Sequence, residues 1–458
     1  MNLNDLLDQT AARAPQRVAL VTATSSWTFA RLHQEVQRAA EAFAHCGIRK
    51  GDCVALVLRN GPEFVTAYFG LVRLGAVAVP INFLVQKAEE LRYMLADCQA
   101  KGVVTQKEFL KGILAARTLL KAPLRIWATD TENAGQDVLQ FDKFLAGEGS
   151  GPAARATAPG DAPSQAPHIS PSSKDVAAIL YTSGTTGFPK GVMLSHGNLV
   201  SNCESSIEAL RLREQDVILT ILPMFHTFAW TGCVLVALRL GAKNVVSNSI
   251  APAGPWIKMM GRHGVTVFAA VPQVYAVLAK EARGIKRLLL KYWFFRRVRF
   301  GASGAAPLSP DTARAFEAAM GIPIVEGYGL TETSPVISIN RPLQRKLGSV
   351  GLPIQDVQVK IIREDETTLP PGQEGEICAR GPNVMLGYHG HPEATRDTFT
   401  RDGFLKTGDI GLLDEEGFLF VRDRKKDMII VKGLKVFSAQ VELVLNSHPQ
   451  VEESAIVG

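Results

Sequence analysis

Residues 176–199, VAAILYTSGTTGFPKGVMLSHGNL, constrain this chain more than any other stretch. An apolar run over 176–181 stops at TSGTTGFPK, crowded with hydroxyls, glycines and a single lysine, and a second apolar, β-branched run opens at Gly191. The pattern reads strand, loop, strand. Small hydroxyl residues beside glycine let backbone N–H groups and side-chain donors close around phosphate oxygens, and Lys190 adds a point charge. A Walker A loop is excluded, because there the lysine runs directly into a helix. Here Pro189 precedes Lys190, Gly191 follows it, strand continues through 192–194, and a helix start is expected only at 195–198. A flexible glycine-serine linker is a poor description, since linkers are not bracketed by two buried strands.

YTSGTTGFPKG resembles the signature loop of the adenylate-forming superfamily, which includes acyl-CoA synthetases, peptide-synthetase adenylation domains and luciferases. The resemblance implies that ATP adenylates a carboxylate and that the acyl group then passes to a thiol, with ATP, Mg²⁺ and CoA as the small molecules required. Thr182, Ser183, Gly184, Thr185, Thr186, Gly187 and Lys190 would hold the β- and γ-phosphates.

A chain of 458 residues exceeds a single hydrophobic core. The net charge of +6 suits an anionic ligand but is spread too thinly for nucleic acid, which is not an expected partner. Six cysteines contain no C-x-x-C pair, so neither zinc nor a disulfide framework is expected and a cytoplasmic location is. The amino terminus carries Asp5 and Asp8 where a signal peptide carries positive charge, and the apolar stretch 67–85 is interrupted by Arg73 and Pro80. Helical patterns at 27–46, 62–74 and 88–97 alternate with strand patterns at 53–58, 76–81 and 102–105, which argues an α/β fold with a mainly parallel sheet. With the resemblance, the expectation is a large amino-terminal domain over 1–423 made of two helix-flanked sheets. It would include a β-rich subdomain from about 340 to 423 and a Pro/Ala/Gly/Ser surface loop over 147–173, and be followed by the start of a small α+β lid over 424–458.

Further clusters bear on the site. EGYGLTET (326–333) follows a strand pattern: Tyr328 between glycines offers a ring face for base stacking, Thr331 a hydroxyl for phosphate, and Glu332 a hard carboxylate for Mg²⁺. The resemblance assigns the same roles to Tyr328, Thr331 and Glu332, counts Thr182, Lys190, Thr331 and Glu332 as catalytic, and adds Glu326, Gly327 and Gly329 to the nucleotide wall. It sets Gly301, Ala302, Ser303, Gly304 and Ala305 against adenine and the acyl chain. Asp409 and Arg424 have the chemistry to hold a ribose, or to be ordinary surface ion-pair partners; the resemblance favours the ribose. In PMFHTFAW, His226 and Trp230 read either as core residues or as pocket lining. The segment is similar to that of bacterial long-chain fatty acyl-CoA synthetases, which implies a fatty acid as substrate and Trp230 as a tunnel gate, with Gly304 beside the acyl chain. Lys426 would be the lid hinge.

The resemblance also implies a glycine-lysine segment late in the lid, whose lysine acts on the reacting phosphate. No lysine before Gly458 matches it, so the expectation is an incomplete lid or impaired adenylation. Alternatives to a fatty acyl-CoA ligase are a ligase loading a carrier protein, another carboxylate-activating enzyme, and a non-catalytic nucleotide or acyl binder. Residues 283–299 pack seven Lys/Arg around Tyr292, Trp293, Phe294 and Phe295, which reads either as peripheral contact with an anionic membrane or as a solvated helix face. Oligomeric state is open, a homodimer included.

Overall fold

A computed structural model describes residues 1–131, 138–146, 170–182, 188–427 and scattered positions as far as 456. The expected surface loop falls outside the described residues up to 169, as does much of the expected lid.

Strands Cys53–Val57, Val77–Pro80 and Gly102–Gln106 are apolar on both faces and buried almost throughout, as central strands of a parallel sheet must be. They pair in parallel with one another, and Val176–Thr182 and Arg125–Thr129 extend the parallel core on either side. Lys190–Ser195 folds back antiparallel on Val176–Thr182, with Thr182 directly opposite Lys190. The second sheet has the parallel strands Val18–Val21, Val217–Thr220, Lys243–Val246, Val267–Ala270, Phe300–Ser303 and Ile324–Gly329, flanked by antiparallel Ser26–Thr28 on one side and by Val336–Ile339 and then Leu352–Pro353 on the other. A four-stranded antiparallel sheet follows, from Gln358–Ile362 through Gly375–Arg380 and Leu405–Leu413 to Leu419–Arg424, and then a hairpin of Ile429–Val431 with Leu434–Val436.

The helix Pro62–Arg73 is buried from end to end apart from Glu63 and Arg73, and it packs on Phe29–His45. Gly70 permits that approach, because a Cβ there would lie 2.6 Å from the Ala39 Cβ. Ser195 caps the helix His196–Leu210 by accepting the Asn198 N–H at 3.0 Å, and Asn198 returns the bond at 2.8 Å. That helix starts where the sequence placed it.

Some boundaries differ. Trp27 lies in the strand Ser26–Thr28, and the helix begins at Phe29 behind its Thr28 cap. The strand expected to end before EGYGLTET runs as Ile324–Gly329 through Glu326, Gly327, Tyr328 and Gly329. Pairing with Val336–Ile339 overrides the low strand preference of its glycines. Gly387–Tyr388 leaves the β-rich region and joins the first sheet beside Lys190–Ser195. That excursion carries Tyr388 to the phosphate loop.

Candidate active site

A cavity of about 1260 Å³ opens between the sheets. Its wall includes Thr182 and Lys190 from the two strand ends, Ser303 to Ala305, Gly327 to Glu332, His226 and Arg424. The base of the phosphate loop is anchored on both sides. Tyr181 donates to the Asp97 carboxylate at 2.7 Å, and Phe188 stacks on Tyr93 with ring centroids 4.9 Å apart. Ser183, Gly184, Thr185, Thr186 and Gly187 lie outside the described residues.

The strand Ile324–Gly329 delivers the second wall. A Cβ at Gly329 would fall 1.9 Å from the Pro335 carbonyl oxygen, so only glycine lets the chain double back tightly enough to present Thr331 and Glu332. The Tyr328 hydroxyl donates to Asp409 at 2.6 Å, and the Arg424 guanidinium lies 3.4 Å from the other carboxylate oxygen. Asp409 and Arg424 meet because they are paired across adjacent strands. Burial nevertheless raises the Asp409 carboxyl above its ordinary range, opposed by the Tyr328 hydrogen bond and the Arg424 charge. Burial likewise raises Glu332, which accepts a 2.9 Å bond from the Tyr388 hydroxyl. Lys190 sits 5.3 Å from the centre of the same Tyr388 ring. One tyrosine thus touches both the phosphate-loop lysine and the candidate metal carboxylate.

The opposite end of the cavity is apolar, lined by Ile81, Val85, Phe225, Phe228, Ile250 and Val271. Phe228 lies on Gly304, where a Cβ would stand 3.3 Å from its ring. His226 faces the space with its ring against Phe225, and burial lowers its pKa, favouring the neutral imidazole.

A model of the AMP-binding enzyme family matches residues 7–389. The chain belongs to that family. Across its full length this AMP-binding enzyme is 32% identical to a long-chain-fatty-acid–CoA ligase of Escherichia coli O6:H1, covering 83% of it. It is also 32% identical to 4-coumarate–CoA ligase 3 of Oryza sativa subsp. japonica, over 94% of this chain and 75% of the relative. The crystal structure of an anthranilate CoA ligase in complex with anthranoyl-AMP superposes with a TM-score of 0.88 at 29% identity, covering all of this chain and 84% of that one.

Four expected site residues of this AMP-binding enzyme stand behind the cavity wall. Gly301 packs on Tyr275, whose hydroxyl would lie 2.6 Å from a Cβ there, and Ala302 is buried beside it in the strand. Glu326 turns away to accept the Leu308 N–H at 3.0 Å, because alternate residues of a strand face opposite sides. Trp230 is only 3% exposed, in a cluster with Phe64, Tyr68 and Phe69, its ring 4.2 Å from that of Tyr68. Asp409 reaches the wall through Tyr328 and Arg424. Lys426 is exposed in the turn after Arg424. Tyr388 and Phe228 were missed by the sequence reading: Tyr388 lies 56 residues from Glu332, and Phe228 reads as one more aromatic in an apolar segment. The Gly-Tyr step at 387–388 is the only local signal for the first.

Proposed function

We propose that this AMP-binding enzyme activates a fatty acid with ATP and transfers the acyl group to CoA. The observation that carries the reading is a single cavity with a polar and an apolar end, larger than the roughly 300–1,000 Å³ of ordinary small-molecule sites and so roomy enough for two reactants. A carboxylate oxygen attacks the α-phosphorus of ATP, the bond to the bridging oxygen breaks, and pyrophosphate leaves. The thiolate of CoA then attacks the acyl carbon, and AMP leaves with the electron pair of the C–O bond.

In this reading no side chain forms a covalent intermediate. Lys190 and Thr182 hold phosphate oxygens, Thr331 the α-phosphate, Tyr328 one face of the base, and Asp409 with Arg424 the ribose. Positioning of this kind is worth on the order of 7–11 kcal/mol. The donor set fits Mg²⁺: Glu332 is a carboxylate raised by burial that accepts the Tyr388 hydroxyl at 2.9 Å and, among the described residues, forms no ion pair. Among the described residues no group of three or more His, Cys, Asp or Glu could hold a metal. One carboxylate plus phosphate oxygens and water is how Mg²⁺ is usually held beside a nucleotide. When bound, Mg²⁺ would neutralise charge developing on the phosphates.

Each buried CH₂ contributes about 0.8 kcal/mol, so the apolar end gains affinity from a long chain. A second reading has its own support: Trp230 is buried among Phe64, Tyr68 and Phe69 and is not part of the cavity lining, which favours a short or aromatic acid, and the relatives include 4-coumarate and anthranilate ligases. Pyrophosphate exchange over acetate to palmitate, 4-coumarate and anthranilate separates the two. The highest rate with long-chain acids is expected; exchange with aryl acids alone would overturn the fatty-acid claim. Replacing CoA by acyl carrier protein in the second half-reaction tests the acceptor.

A further inference from the structure

The helix Gly284–Leu289 continues without a break into the π-helical turn Leu290–Phe294. Ile285, Leu288, Leu289, Tyr292 and Trp293 recur on it at i, i+3, i+4, i+7 and i+8, the spacing of an apolar stripe. Such a stripe normally faces the core. Here it faces solvent, with each of the five side chains between 53% and 76% exposed. The helix is held in that pose from behind, where Phe295 is buried and Arg287 donates to the carbonyls of Ala318 and Ala319 at the end of the next helix. Val277 on the preceding helix is also exposed.

The charges within the segment that carries the stripe are of one sign. From Ala282 to Phe300 the sequence has no Asp or Glu, but it has Arg283, Lys286, Arg287, Lys291, Arg296, Arg297 and Arg299. Arg299 is drawn inward to the buried Asp216 and Lys286 pairs at the surface with Glu281, while among the described residues Arg283, Arg296 and Arg297 form no ion pair. We infer that this face docks on an anionic lipid bilayer, with Trp293, Tyr292 and the leucines at the headgroup boundary and the free arginines on the lipid phosphates. Tryptophan and tyrosine beside cations are the residues such a boundary selects. A second copy of this chain is a worse occupant, since a two-fold interface would set the same cations against themselves.

The test is co-sedimentation of the full chain with vesicles of phosphatidylcholine alone and of phosphatidylcholine mixed with phosphatidylglycerol. Binding to the anionic vesicles, weakened by salt, is expected. Arg283→Gln and Arg296→Gln should each lower the partition about five-fold. The pair Leu288→Ser and Trp293→Ser should lower it on the order of ten-fold with no loss of thermal stability, because neither side chain is part of the core. Equal binding to neutral vesicles, or charge variants that bind like the parent, would overturn the proposal. So would light scattering that shows a dimer dissociated by Leu288→Ser, which would give the face to a second copy. None of these readouts depends on which carboxylate is activated.

Discussion

The two ends of the cavity are built by different means. At the nucleotide end, side chains from distant strands are locked to one another by directed bonds: Tyr328 to Asp409, Tyr388 to Glu332, Arg424 to Asp409. At the acyl end Asn60 fixes the backbone at Leu222 and Met224, but the apolar lining side chains are set by packing, Phe228 on Gly304 and, one turn on from His226, Trp230 among Phe64, Tyr68 and Phe69. Directed bonds tolerate few residue types at each point. Packing tolerates many combinations of similar volume. One end is therefore suited to a ligand common to the whole family, and the other to a ligand that varies.

The largest effect is expected at the packed end. Trp230→Ala removes a buried indole and should lower unfolding stability by about 3–5 kcal/mol in a urea titration. Under the fatty-acid reading, with Trp230 as the tunnel gate, the same substitution moves the exchange optimum to longer chains, while the KM for ATP stays unchanged. A change in ATP KM of the same size would erase the distinction between the ends. The complementary test is Glu332→Gln, expected to reduce kcat/KM by roughly 10²–10³, or about 3–4 kcal/mol of transition-state stabilisation. Its thermal midpoint should not fall, since the substitution removes a carboxylate raised by burial.

How far the sequence revealed each end follows the same division. The strand, loop and strand around Lys190, and the turn carrying Thr331 and Glu332, were legible because each is a contiguous run whose residue types serve one purpose. The Tyr328–Asp409 bond spans 81 residues and the Tyr388–Glu332 bond 56, so neither could be read without the fold. Glu326 and Trp230 were placed at the site by their motif neighbours, but strand alternation turns one away and aromatic packing buries the other. Exposure of the stripe from Ile285 to Trp293 was equally hidden, because amphipathic spacing reveals a face and not what covers it.

Glu326 gives a pH-dependent test of the region between the ends. Burial pushes its carboxyl up to about 7, partly offset by the Leu308 N–H. In the unfolded chain it titrates near its ordinary value, so below that value both states are protonated and the group is neutral in its effect. As pH rises towards 7 the unfolded state releases the proton more readily, and folding stability falls by about 3 kcal/mol. Glu326→Gln should flatten that part of the stability profile. A parent profile that already matches the variant between pH 5 and 7 would show that the carboxyl is solvated.

The smallest effect probes whether the nucleotide end is wired as closely as its bonds imply. Tyr388→Phe keeps the ring beside Lys190 and removes only the hydroxyl that holds Glu332. Loss of one such hydrogen bond from a half-buried donor should cost about 1 kcal/mol. It should appear as a roughly five-fold rise in the Mg²⁺ concentration needed for half-maximal exchange, with the maximal rate and acyl preference retained. Manganese titration followed by its electron spin resonance, with ATP present, gives the same comparison without turnover. If the rate falls at saturating Mg²⁺ instead, Tyr388 acts on Lys190 and the phosphates. The hydrogen bond to Glu332 is then a packing accident, and the contrast between directed and packed ends rests on Tyr328 and Asp409 alone.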